Sequence, residues 1–467
     1  MSPLHYVSTR GAAPELDFAD VLLAGLARDG GLYVPASWPT LPDGSLERFA
    51  SMSYADVAVE VMWPFVEGSI DADVFADIVA AAYATFDAAE VVPLTDLGDG
   101  LWLAELFHGP TLAFKDVALQ LVGRLFDHVL GQRGERVTIV GATSGDTGSA
   151  AIDACRDRAA IDIFVLHPHE RVSEVQRRQM TTVLADNVHN LAVRGTFDDC
   201  QDLVKALFAD TEFRDRRHLS AVNSINWARV MAQIVYYVTT AARLGAGGSR
   251  PVAFSVPTGN FGNVFAGYAA QRMGVPISQF VVASNRNDIL TQFLTTGAMT
   301  IGEVHPTLSP SMDIQVSSNL ERLLFELFGR DGTAVAELMS RFRAEGTVAL
   351  EPDRLDLLSE HWTGTRVDDE GTTRTIRALH ERTGLFVDPH TAVGLAAAEQ
   401  SRRDADVPMV VLATAHPAKF PDAVEAATGV RPPLPTHLAD LFDRPERYDV
   451  VDDDVAVVRD VIDDTLG

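Results

Sequence analysis

Only three of the 38 basic side chains in this chain are lysines: Lys115, Lys205 and Lys419. Arginine serves well for surface charge, but it does not readily shed a proton and attack a carbonyl. A retained lysine is therefore worth weighing as a nucleophile. Lys115 has the least surface-like setting of the three, in Gly109-Pro110-Thr111-Leu112-Ala113-Phe114-Lys115-Asp116. An amine placed behind an aromatic ring and before an apolar run is desolvated, which favours its neutral form and suits a Schiff-base lysine. The same segment also fits a snorkelling lysine at a helix start. Lys205 lies in a helical run with Asp202 and reads as surface.

Further candidates fall at junctions between secondary-structure elements. Gly259-Asn260-Phe261-Gly262-Asn263 follows a strand and opens a helix, so its amides and the positive helix end converge on a point suited to phosphate. It has neither the GxGxxG spacing nor a GK[ST] ending, and it also fits an ordinary tight turn. Thr143-Ser144-Gly145-Asp146-Thr147-Gly148 makes a second such junction. Ser144 and Thr147 could hold a carboxylate or phosphate there, although simple N-capping uses the same residue types. Asn223-Ser224-Ile225-Asn226-Trp227-Ala228-Arg229 gathers amide, hydroxyl and guanidinium groups. Arg229 could grip a phosphate with two bonds, or the stretch could be a polar helix start. Thr414 follows the apolar run Met409–Ala413, at the strand end where α/β proteins place ligands, though β-branched packing also explains a threonine there. Lys419 lies five residues on and is the second lysine of interest. No GxSxG or HExxH occurs, the histidines lack ligand spacing, and two cysteines supply no metal pair, so no metal site is expected.

The elements that must position these groups read as α/β. Strands at Val137–Val140, Ile161–Leu166, Val252–Val256, Phe280–Ala283 and Met409–Ala413 alternate with helical patterns such as Ser149–Arg158 and the run opening near Asn263. That alternation predicts parallel sheets flanked by helices. Residues 1 to about 90 are mostly helical in pattern, with runs at 16–26, 54–63 and 74–86. Gly245–Ser249 reads as a linker and Asp452–Asp454 as solvated surface. The chain has 467 residues, a net charge of -27 and no membrane-length apolar run or signal pattern. A cytoplasmic enzyme with no nucleic-acid or membrane partner is expected. An anionic ligand would need positive potential built locally, against that global field.

Taken in order along the chain, these segments resemble the threonine synthase family, in its longer bacterial and fungal branch. Tyr6–Gly11, Gly25–Pro35, His108–Asp116, Ser309–Ile314 and Thr414–Phe420 are the carrying stretches. The resemblance implies a pyridoxal 5'-phosphate enzyme of fold type II, like the tryptophan synthase β chain. It implies two α/β domains behind an N-terminal, mostly helical module over 1–93. The catalytic region is expected over 94–467, with a smaller subdomain at about 131–245 and the larger one from the remainder. Lys115 would hold the cofactor and then act as the mobile base. Gly259, Asn260, Phe261, Gly262 and Asn263 would cradle its phosphate, and Thr414 would bond its ring nitrogen. Ser144, Thr147, Asn223, Ser224 and Arg229 would bind the substrate. Asp146 stands where related enzymes often have asparagine facing the cofactor's 3′ oxygen, and repulsion would turn a carboxylate elsewhere. The reaction implied converts O-phospho-L-homoserine and water to L-threonine and phosphate, in a monomer or homodimer. The rivals are a phospho-lyase giving 2-oxobutyrate from the same substrate, a serine or threonine dehydratase, and an inactive binding module.

Overall fold

The computed structural model describes residues 3–221 and 223–467. The chain forms two compact units. One holds the residues up to His108 together with Ser224–Pro432, and the other holds Gly109–Asn223 with Pro433–Gly467.

The first unit is built on a six-stranded sheet. Its strand order is Trp362–Arg366, Ile277–Ser284, Val252–Pro257, Met409–Ala413, Leu101–Glu105 and Leu94–Gly98. Each neighbouring pair is parallel except the last, which is antiparallel. Every residue of Val252–Pro257 and Met409–Ala413 is buried, as expected of central strands covered by helices on both faces. The expected N-terminal helices appear as Phe18–Ala24, Tyr54–Val66 and Ala72–Tyr83. Ser53 starts the second by accepting the Asp56 N–H at 3.1 Å, an ordinary N-cap.

The helix Trp227–Leu244 packs against Tyr54–Val66 and Gly262–Arg272 and so belongs to this first unit. The smaller subdomain expected at about 131–245 would include that stretch. Gly245–Ser249 is no linker. Ala246–Gly248 forms a 3-10 turn within the same unit. A Cβ on Gly247 would come within 2.9 Å of the Glu47 Cα, and one on Gly248 within 2.8 Å of a Leu46 methyl. These glycines permit close approach to the helix Ser45–Phe49 rather than conferring freedom.

The second unit carries a fully parallel sheet in the order Asp449–Val451, Val188–Val193, Ile161–Pro168, Val137–Ala142 and Leu219–Ser220. Phe164, Leu191, Leu203, Phe213 and Ile462 are among the side chains that fill its core. The Asp-rich stretch is exposed, and Asp454 accepts the Ala456 N–H at 2.8 Å to start the last helix. Among the described residues, no helix is long and apolar enough to cross a membrane.

Candidate active site

In the second unit, Lys115 is the first residue of the helix Lys115–Arg133. The loop before it is folded onto Asp116, whose carboxylate accepts the Thr111 N–H at 2.8 Å and the Thr111 hydroxyl at 2.6 Å. Gly109 is required by this fold, since a Cβ there would come within 2.4 Å of the Asp116 Cβ. Leu112 takes a left-handed φ of 64° to complete the turn. The lysine Nζ stands 5.3 Å from the Phe114 ring centroid and 3.4 Å from Asp146 Oδ2. The amine therefore has a carboxylate neighbour, not the purely apolar surroundings its sequence suggests.

Asp146 opens the helix Asp146–Cys155, which packs on the lysine helix. Its other oxygen accepts from Gln176 Nε2 at 2.8 Å. The junction before it is shaped by Thr143, whose hydroxyl accepts the N–H groups of Gly145 and Gly148 at 3.0 and 2.9 Å. Ser144 is exposed and Thr147 half-buried at this helix start. The structure thus brings Lys115 to the Ser144–Thr147 junction. Asn223, half-buried, lies beyond the strand Leu219–Ser220 of this unit.

The other expected site residues belong to the first unit. Among the described residues, none of the main-chain N–H groups from Gly259 to Asn263 makes a hydrogen bond. Five such donors in succession stand at the start of the helix Gly262–Arg272, where unbonded amides can accept an anion. Phe261 holds a left-handed φ of 64°, a conformation that costs a non-glycine residue about 1–2 kcal/mol. Its ring is fixed by stacking on Trp362 at 5.5 Å. A Cβ on Gly259 would come within 2.8 Å of the Ser311 carbonyl oxygen. Ser311 is itself fixed, its N–H donating to His390 Nε2 at 3.2 Å while His390 Nδ1 contacts Asp388 at 2.7 Å. Asn263 accepts from the Tyr236 and Tyr237 hydroxyls at 2.5 and 3.0 Å, and its buried Nδ2 has no partner.

Arg229, on the helix Trp227–Leu244, is 5% exposed. Its Nε and Nη1 are buried without a hydrogen-bond partner, and burial pushes the guanidinium pKa down to about 10. An unpaired buried cation is strongly unfavourable and calls for an anion. Thr414 ends the strand Met409–Ala413, beside the strand Val252–Pro257 that leads into Gly259. The Thr414 hydroxyl is nearly buried and makes no hydrogen bond among the described residues. Lys419 is wholly buried, in the turn Pro417–Lys419, whereas Lys205 is exposed and paired with Asp202 at 2.8 Å.

Three family models match successive parts of the chain: "Threonine synthase N terminus" over residues 5–83, "Pyridoxal-phosphate dependent enzyme" over 89–341 and "Threonine synthase, C-terminal" over 391–462. The threonine synthase of Pseudomonas aeruginosa is 57% identical, the match covering 98% of this chain and 97% of that protein. The chain belongs to the threonine synthase family. The solved structure of the pyridoxal-phosphate-bound threonine synthase from Brucella melitensis superposes with a TM-score of 0.97 at 51% identity, covering 99% of each chain. The threonine synthase from yeast does so with a TM-score of 0.94 at 38% identity, over 99% of this chain and 98% of that one.

The family is dependent on pyridoxal phosphate, and the residues present here fit that group. Five unbonded amides and the unpartnered Asn263 Nδ2 match a phosphate, and a free strand-end hydroxyl at Thr414 matches a ring nitrogen. Sequence reasoning missed the residues that hold this cradle from behind. Ser317 Oγ donates to the Gly259 carbonyl at 2.6 Å, and Asn319 donates to the Asn260 carbonyl from both its main chain and its amide. No local signal marks them, because they lie more than 55 residues from the loop they support.

Proposed function

We propose that this chain is a threonine synthase converting O-phospho-L-homoserine and water to L-threonine and phosphate. The observation that carries the reading is the buried, unpartnered Arg229 guanidinium, in the same unit as a separate amide cradle. One anion site suits a cofactor phosphate and the other a substrate phosphate.

When bound, pyridoxal phosphate supplies an electron sink for charge developing beside the substrate's amino group. Gly259, Asn260, Phe261, Gly262 and Asn263 would hold its phosphate, Thr414 would offer its hydroxyl to the ring nitrogen, and Lys115 would anchor the group. A hydroxyl at the ring nitrogen does not keep that atom protonated as a carboxylate would. More of the work therefore falls to proton transfer by Lys115. Its neutral Nζ removes the Cα proton, passes it on and then removes a Cβ proton; once phosphate has left, protons return to Cγ, which becomes the methyl group, and to Cα. Asp146, 3.4 Å away, gives the amine an acceptor that restricts where it can point. Arg229 holds the phosphate that leaves from Cγ, where its charge offsets the dianion as it forms. Ser144, Thr147, Asn223 and Ser224 orient the rest of the substrate before water adds at Cβ. The acidic chain is consistent with a cytoplasmic enzyme, a monomer or homodimer, that binds a small molecule rather than nucleic acid.

The purified holoenzyme should show a visible absorption band that disappears on borohydride reduction, and it should release phosphate from O-phosphohomoserine. A protein with no such band after incubation with pyridoxal phosphate would overturn the reading.

A further inference from the structure

Behind the amide cradle lies a buried polar knot that also reaches the Ser224 turn. Asn319 and Arg322 are both wholly buried, at 0% exposure. Both ends of the Asn319 amide are engaged. Its Nδ2 donates to the Asn260 carbonyl at 3.0 Å and to the Ser224 carbonyl at 3.1 Å, while its Oδ1 accepts from Arg322 Nη1. Its main-chain N–H gives the Asn260 carbonyl a second bond at 3.1 Å. Arg322 continues to the Ile225 carbonyl at 2.6 Å and, through two nitrogens, to the Tyr33 carbonyl at 3.0 Å. Burial pushes the Arg322 pKa down to about 9. Yet every bond it makes from the guanidinium goes to a carbonyl or amide oxygen that it fixes in place.

The geometry of the peptide unit gives these bonds a direction. In a trans peptide the carbonyl and the following N–H point opposite ways, and among the described residues no peptide bond is cis. The Gly259 carbonyl is turned toward Ser317 Oγ at 2.6 Å, so the Asn260 N–H faces away from Ser317. The Asn260 carbonyl is turned toward Asn319, so the Phe261 N–H faces away from Asn319. Two consecutive donors are thereby held on the side opposite the knot. The Ser224 and Ile225 carbonyls, fixed by Asn319 and Arg322, set the turn that leads into the Arg229 helix.

We propose that Asn319, held by Arg322, is a positioning residue shared by the cofactor-phosphate cradle and the substrate-binding Ser224 turn. Ser317 supports the cradle alone. The inference rests on the proposed roles of those two segments.

The test compares Asn319→Asp, Asn319→Ala and Ser317→Ala holoenzymes and their resolved apoenzymes with wild type. Asn319→Asp keeps the shape and the Arg322 contact, but it replaces the donor facing two carbonyls with an acceptor. The readouts are the dissociation constant for pyridoxal phosphate added to apoenzyme, the phosphorus NMR shift of the bound phosphate, and KM for O-phosphohomoserine at saturating cofactor. Bonds that control a charged ligand are worth roughly a tenfold change in affinity or more. Both Asn319 variants should raise the cofactor dissociation constant and KM together, about tenfold each, whereas Ser317→Ala should raise only the former. A rise in just one quantity for Asn319, or matching effects for Ser317 and Asn319, would overturn the shared role. Should the Asn319 variants fail to fold, Arg322→Lys takes their place, with the same joint rise expected and the same outcomes decisive. Gly262→Val is the control. If it retains wild-type cofactor affinity, the cradle assignment itself fails, and the knot's proposed purpose fails with it.

Discussion

Replacing Arg229 by methionine should make the enzyme more stable while nearly abolishing its use of the phosphorylated substrate. The guanidinium is buried, its Nε and Nη1 lack partners, and its pKa is pushed down to about 10. At about 1.4 kcal/mol per pKa unit, the drop from the usual guanidinium value is worth roughly 3–4 kcal/mol at neutral pH. That penalty is present in full below about pH 10 and is relieved as the pH rises from there toward the unfolded value. Methionine keeps most of the aliphatic volume, with an imperfect fit costing up to about 1.5 kcal/mol. The net gain is about 2 kcal/mol in phosphate-free buffer, read as a higher urea midpoint of the holoenzyme. Inorganic phosphate should reverse the order, because a ligand at a hundred times its dissociation constant stabilises its binder by about 2.7 kcal/mol, and only wild type retains the site. In kinetics, kcat/KM should fall about 30- to 1000-fold, with part of the loss in kcat because the phosphate also leaves. Cofactor retention should be unchanged. Arg229→Lys should rescue only in part, for want of the two-bond fork. A methionine variant that is less stable than wild type without phosphate, or that gains as much from phosphate, would show that this arginine serves the fold and not an anion.

Lys115→Ala and Lys115→Arg should both lose the visible absorption band and turnover, since guanidinium stays protonated near neutral pH; Lys205→Ala, exposed at the surface, should lose neither. Gly262→Val should release cofactor on dialysis, because a Cβ there already comes within 3.2 Å of Asn319 Nδ2 and a branched side chain needs more room. Burial opposes protonation of His108, but its contacts to Glu105 and Asp87, at 2.8 and 2.9 Å, outweigh burial and raise its pKa. Its contribution to stability is therefore full below the ordinary imidazole value and is lost as the pH rises through the raised one. His108→Gln should remove that step from the profile of denaturation midpoint against pH.

The parts of the site that could be read from sequence are those whose geometry is local. Gly109, Leu112 and Asp116 lie within eight residues, so the lysine loop encodes its own turn. The glycines at 259 and 262 and the strand before them likewise mark the cradle. Buried strands such as Val252–Pro257 and Met409–Ala413 announce themselves by unbroken apolar runs. What the sequence hides is long-range. Arg322 sits in Leu320–Leu327, an ordinary amphipathic pattern in which an arginine reads as solvated surface, yet it is wholly buried against Tyr33. Gly245–Ser249 misleads in the opposite sense, since its glycines make room for Leu46 and Glu47. Asp146 could not be aimed from sequence because its partners, Gln176 and Lys115, come from other elements.

Water is expected to add to the substrate once its phosphate has left, with Lys115 moving the protons. The most direct measurement follows the products from O-phospho-L-homoserine incubated with purified holoenzyme in deuterated water. L-threonine and inorganic phosphate should form in equal amounts, with deuterium at Cα of the threonine. Accumulation of 2-oxobutyrate and ammonia in place of threonine would contradict the account and show a phospho-lyase built on the same site.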